Sequence, residues 1–120
     1  MNNMKKYNQR VGKLGENIAV RYLRKHGYKI IDRNVHFRCG EIDIIAEKEN
    51  ILYFIEVKTR TSNKFGYPED AISKNKLLRI ENSIYSYVEL NKLKNPYFVL
   101  IICVLIDVRV GLGRIYCFNV

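Results

Sequence analysis

Gly40-Glu41-Ile42-Asp43-Ile44-Ile45-Ala46-Glu47-Lys48-Glu49-Asn50-Ile51-Leu52-Tyr53-Phe54-Ile55-Glu56-Val57-Lys58 is the stretch that decides the fold of this chain. Two apolar runs, residues 42–47 and 51–58, flank a short polar link, which is the pattern of an antiparallel hairpin. With Glu49-Asn50 as a two-residue turn, Lys48 pairs with Ile51. Counting outward then places Asp43 opposite Glu56 and Glu41 opposite Lys58. Directly opposed side chains have Cβ atoms about 4.5–5.5 Å apart. The register therefore brings two carboxylates and a lysine onto one face of an otherwise apolar sheet. Charge buried there without a partner costs several kcal/mol, unless a cation compensates it. A divalent metal site built for phosphate chemistry meets that need.

The surrounding sequence supplies the rest of an α/β fold. Val11, Leu14, Ile18, Ala19, Tyr22 and Leu23 follow helical spacing over residues 9–26, and Gly27 stands where a helix ends in positive φ. Glu16 lies at the edge of that stripe among small neighbours, Gly12, Gly15 and Ala19, which leaves room for it to reach inward. Residues 28–37 read as an irregular strand, followed by a turn at Arg38-Cys39-Gly40. Residues 59–67 form a polar loop, and Pro68-Glu69-Asp70 has the composition of a helix start. Ser73 caps a longer helix to about Leu90, with Leu77, Ile80, Ile84, Tyr87 and Val88 toward the core. Residues 97–108 and 114–120 close the chain as strands around Gly111 and Gly113. The expected architecture is a mixed central sheet flanked by helices, in the order α-β-β-β-α-β-β. One domain spans residues 1–120, with residues 1–8 as a flexible basic N-terminus.

Composition narrows the function. A net charge of +9 over 120 residues is unevenly spread. Residues 1–38 carry ten Lys or Arg against Glu16 and Asp32, whereas residues 39–72 carry seven acids against four bases. An acidic island on a basic chain suits a cation site within a polyanion-binding surface; a solvated basic surface chosen for solubility is the plainer alternative. The apolar run at 97–106 is too short to span a bilayer, and Met1-Asn2-Asn3-Met4-Lys5-Lys6 lacks a signal-peptide core. A cytoplasmic protein that does not enter membranes is expected. Cys39, Cys103 and Cys117 lack CxxC spacing and read as structural, the last two as small core residues. His26 and His36 read as a helix-end and a strand-surface residue, and most of the nine tyrosines as core.

The chemistry follows from the oxygen donors. Asp43, Glu56 and the Val57 carbonyl are candidate ligands for Mg²⁺ or Mn²⁺, which keep several waters and bind substrate phosphate. Lys58, one strand step beyond Glu56, is placed to hold or deprotonate an attacking water; Glu41 is placed to orient Lys58 or to bind a second metal. Arg60 and Lys64 in the following loop are candidate phosphate contacts. So are Lys74, Lys76 and Arg79 at the N-terminal end of the second long helix, where cations oppose the helix dipole. The competing reading makes Glu56, Glu41 and Lys58 cross-strand ion pairs on an exposed face.

Asp43 with Glu56-Val57-Lys58 resembles the PD-(D/E)xK signature of restriction-endonuclease-like nucleases. More narrowly, Gly15-Glu16, Gly27-Tyr28, Arg33-Asn34, residues 40–46 and Phe54-Ile55-Glu56-Val57-Lys58-Thr59-Arg60 resemble the YraN family of small bacterial proteins. Phe65-Gly66-Tyr67-Pro68, Ala71-Ile72 and Lys76 with Arg79 extend that resemblance, which covers about residues 11–118. Leu77 replaces a glutamine common in the family, and Leu105-Ile106 an Arg-aromatic pair. The resemblance implies a nuclease-like fold, adds Glu16 to the catalytic set, and supports Asp43, Glu56 and Lys58 in the roles given. The residues themselves assign phosphodiester hydrolysis by a metal-activated water, and the expected function is a Mg²⁺- or Mn²⁺-dependent nuclease acting on nucleic acid, DNA in branched or single-stranded form, with a homodimer or protein partner as an option. The alternative is a non-catalytic nucleic-acid-binding module that keeps the fold.

Overall fold

The structure is a computed structural model, and it describes residues 3–61, 73–107 and 112–119. Seven elements follow one another: α1 (Asn3–Lys25), β1 (Lys29–Phe37), β2 (Gly40–Lys48), β3 (Ile51–Arg60), α2 (Lys74–Leu90), β4 (Tyr97–Asp107) and β5 (Leu112–Asn119). The expected order is the observed one. The strands form one sheet in the order β1-β2-β3-β4-β5, antiparallel except for the parallel pair β3–β4. That parallel pair requires a crossover, and α2 lies in the connection between the two strands.

Helix α1 begins at Asn3, so residues 3–8, expected as a flexible tail, are helical and exposed. Its end is set by Gly27 at φ 87, where the Gly27 N–H donates to the Arg24 carbonyl and the Tyr28 N–H to the Leu23 carbonyl. These two bonds form a Schellman cap. Ala19, Val20 and Leu23 of α1 pack with Ile44, Ala46, Ile55 and Ile102 on one face of the sheet. Ile80, Ile84 and Tyr87 of α2 pack with Ile42, Ile45, Leu52 and Phe54 on the other. Leu14, expected in the apolar stripe, is 48% exposed because α1 turns only its Gly15–Ala19–Leu23 side to the sheet. Cys103 is buried as expected, but Cys117, on the edge strand β5, is exposed. Tyr7, Tyr85 and Tyr97 are likewise exposed, whereas Tyr87 is buried.

The β2–β3 hairpin has the expected register, from Lys48 opposite Ile51 to Ile44 opposite Ile55. Glu49 and Asn50 both take positive φ, 54° and 65°. That geometry matches the twist of the flanking strands. Ser73 caps α2 by accepting the Lys76 N–H at 3.1 Å. The expected helix start at Pro68 lies outside the described residues, and no helix among the described residues is long and apolar enough to cross a membrane.

Gly15 sets the distance between α1 and the site. A Cβ built there would collide with Thr59 Oγ1 and stand 2.7 Å from Thr59 Cγ2, so α1 lies directly on the end of β3. Gly12, one turn earlier, has nothing within 4 Å of such a Cβ. Gly15→Ala should therefore destabilise by about 1–3 kcal/mol through overpacking. Gly12→Ala should stabilise by about 0.5–1 kcal/mol through helix propensity. Thermal unfolding of the two variants checks the pair.

Candidate metal and phosphate site

The hairpin ladder stops where the acids begin. Alternate residues of β3 from Ile51 address β2 with their backbone groups, so the Val57 N–H points at β2. It donates to Asp43 Oδ2 at 2.8 Å, and a side chain thus completes the strand edge. The cause is a bend in the β1–β2 pair. Arg33 and Ile44 are paired, and Ile44 packs on the α1 face; Val35 and Ile42, two steps along, pack on the α2 face. A regular strand would keep positions two apart on one face. The face changes between these two pairs, at Asn34, which takes φ 53. Asparagine tolerates this left-handed conformation better than most residues.

Glu16 braces that bend. Its Oε1 accepts from Arg33 Nε and Nη2, at 3.1 and 2.9 Å, and from Asn34 Nδ2 at 3.0 Å. Arg33 also donates to Asn17 Oδ1 at 2.8 Å. The inward reach expected of Glu16 is realised, and its charge acts on Asp43. Arg33 and Asn34 were not read from the sequence as site residues. A residue type suited to positive φ inside an irregular strand was the available signal.

Asp43 and Glu56 come together as expected. Burial, then the neighbouring Glu56 charge, push the Asp43 carboxyl up to about 7; the Val57 N–H opposes the shift and a side-chain hydrogen bond with Glu56 reinforces it. Asp43 is therefore the acid of the pair that keeps its proton up to near neutral pH. Glu56 is 5% exposed and is flanked by two lysines: Lys76 Nζ stands 2.8 Å and Lys58 Nζ 3.8 Å from its Oε1. Burial and the adjacent Lys76 hold Lys58 below the usual lysine range, with Arg60 adding to the effect. Burial works against charge on Lys76 too, but Glu56 outweighs it and the pKa is raised. Lys76 thereby meets in Glu56 an anion that offsets its unfavourable place at the start of α2.

The remaining expectations divide. Glu41 does not oppose Lys58. Because the bend carries residues 40–43 along with β1, Glu41 pairs with His36 of β1, 3.1 Å from its Nδ1, and is exposed. Arg60 is half-buried at the end of β3, Lys74 is exposed at the start of α2, and Lys64 lies outside the described residues. Lys76 and Arg79 line a cleft of about 480 Å³ between α2 and the β1–β2 turn, with Glu56 in its wall. His26 Nδ1 stands 2.8 Å from the Tyr22 carbonyl at the helix end, as expected.

The paired acids make a stability prediction for the metal-free chain. A carboxyl with a pKa of about 7 when folded and about 4 when unfolded destabilises the fold above pH 7. Lowering the pH from 8 through 7 toward 5 should therefore raise the unfolding temperature of the protein in chelator. Asp43→Asn, which retains an acceptor for the Val57 N–H, should be more stable than the native chain at pH 8. That margin, on the order of a few kcal/mol, should close as the pH falls. Equal stabilities at pH 8 would contradict the raised pKa of Asp43.

Residues 15–110 match the sequence profile described as "Uncharacterised protein family UPF0102". A UPF0102 protein of Clostridium perfringens (strain 13) is 47% identical over 94 residues, 78% of this chain and 77% of the relative. UPF0102 proteins of Syntrophomonas wolfei and Flavobacterium psychrophilum are 44% and 46% identical over 82 and 83 residues, covering 68% and 69% of this chain and 71% and 70% of the relatives. The matched span contains α1 from Gly15, the bend, both acids and both lysines. The chain belongs to the UPF0102 family, which is the YraN family that its motifs resemble.

Proposed function

We propose that this protein hydrolyses phosphodiester bonds of nucleic acid, DNA in branched or single-stranded form, at a Mg²⁺- or Mn²⁺-dependent site of PD-(D/E)xK type. The observation that carries the reading is the pair of half-buried Asp43 and buried Glu56, side by side where β2 parts from β3, with Lys58 on the same strand as Glu56. Two adjacent carboxyl groups, one of them held protonated by the other's charge, form an oxygen donor set that a divalent cation suits. The Val57 carbonyl, by the alternation that directs its N–H, faces the same gap. Among the described residues no group of three or more His, Cys, Asp or Glu gathers around a metal position. Two protein carboxylates are nevertheless the usual holding for Mg²⁺, with water and phosphate completing its shell.

Asp43, Glu56 and the Val57 carbonyl would hold the metal. When bound, the metal supplies a Lewis acid and a water of lowered pKa. Lys58 would then hold the attacking water and offset charge that grows on the phosphate oxygens. Glu16 acts at one remove, by keeping Arg33 and Asn34 in the bend that presents Asp43. Lys76 competes with a cation for Glu56 Oε1, so removing its charge should favour metal.

The test is cleavage of labelled duplex, single-stranded and branched DNA with Mg²⁺ or Mn²⁺, beside Lys58→Met. Metal-dependent products, reduced about 10²–10⁴-fold in the variant, are expected of a lost proton-transfer group. Products undiminished in Lys58→Met would remove that residue from the mechanism. DNA bound without products would favour the non-catalytic binding module. Lys76→Met should bind Mn²⁺ more tightly than the native chain; unchanged affinity would mean that Lys76 does not occupy the cation's place.

A further inference from the structure

The cleft beside Glu56 has two unlike walls. The end of β1, the turn and the start of β2 contribute Phe37, Arg38 and the Glu41 carboxylate, which His36 pairs, and α2 contributes Lys76, Arg79 and Ile80. The walls are tied to each other. Gly40 packs against α2 so closely that a Cβ there would stand 3.1 Å from Ser83 Oγ and 3.2 Å from Arg79 Cβ. Cys39 Sγ lies 3.7 Å from Ser83 Oγ, and Ser83 is fully buried. The spacing of the walls is thus part of the packed core. Its volume of about 480 Å³ falls within the roughly 300–1,000 Å³ of small-ligand pockets. That is the scale of one or two nucleotides of a single strand, too small to enclose a base pair with both of its backbones.

The lining has the chemistry of a single strand. Arg38 and Arg79 offer charged donors from the two walls, as phosphates require, each with a planar fork for their oxygens, while Lys76 is engaged by Glu56. Phe37 and Ile80 offer apolar surface for sugar and base between those donors. Glu56 closes the series, so a strand lying in the cleft reaches the carboxylate pair. We propose that this cleft seats one unpaired strand of nucleic acid, with Arg38 and Arg79 holding its phosphates on the approach to Glu56. The inference rests on the nucleic-acid reading given above and narrows it to a substrate that presents a single-stranded segment or end.

Fluorescence anisotropy with a labelled single-stranded 12-mer and the matching blunt duplex tests it. The full chain is used in chelator and again in Ca²⁺, with Arg38→Gln, Arg79→Gln and, as a remote control on α1, Arg21→Gln. The single strand should bind at least tenfold more tightly than the duplex. Each cleft variant should weaken its binding and reduce the slope of log affinity against log salt by about 0.7, one phosphate contact on a single strand. Arg21→Gln should leave that slope unchanged. Equal or tighter duplex binding, or cleft variants that behave like Arg21→Gln, would overturn the cleft assignment and leave the nucleic-acid reading standing. Binding of neither probe in either buffer would overturn the nucleic-acid reading itself.

Discussion

The hydrogen bond from the Val57 N–H to Asp43 Oδ2 is the constraint on which the rest of the site depends. A strand edge left open in the interior must have its backbone groups satisfied, and here a carboxylate does what a neighbouring strand would otherwise do. In doing so Asp43 is fixed beside Glu56, and the gap between β2 and β3 stays open to α2. The bend that creates the gap is local: one residue, Asn34 at φ 53, changes which face its neighbours present. Glu16 holds that residue and Arg33 from the far side. Gly15 lets α1 come close enough for Glu16 to reach them. Sheet, helix and site are therefore coupled through a few contacts at one end of the molecule.

Charge balance explains why the arrangement is stable before any ligand arrives. Half-buried Asp43 and buried Glu56 lie side by side, and the proton that Asp43 keeps and the ammonium of Lys76 relieve their repulsion in different ways. Lys58 stands 1.0 Å farther from Glu56 Oε1 than Lys76 does, at 3.8 against 2.8 Å. Burial and the Lys76 charge both work against its own. A lysine in such surroundings is less committed to its proton than a solvated one. The two lysines thus differ: Lys76 neutralises the acid, and Lys58 holds its proton less firmly.

Much of this was legible in the sequence, and the failures have a common cause. The two-residue turn at Glu49-Asn50 and the period-two alternation on either side determine the register as far as Ile44 and Ile55, and Asp43 and Glu56 interact just beyond its end. Gly27 and Ser73 mark helix ends by chemistry that acts within a few residues. Glu41 was misplaced because counting outward assumes an unbroken strand, and the bend at Asn34 breaks it. The Lys76–Glu56 contact joins residues 20 positions apart on different elements and has no local pattern to announce it. Helical spacing places Leu14, and a strand-like run Cys117, toward the core, but neither pattern specifies the neighbours that decide burial.

The central claim is that Asp43 and Glu56 form a divalent cation site, and calorimetric titration of Mn²⁺ into the metal-free chain at pH 7 tests it most directly. The account predicts saturable binding of one ion per chain, with proton release from the Asp43 carboxyl, and loss of both in Asp43→Asn. Absence of saturable binding, or unchanged binding and proton release in that variant, would contradict it.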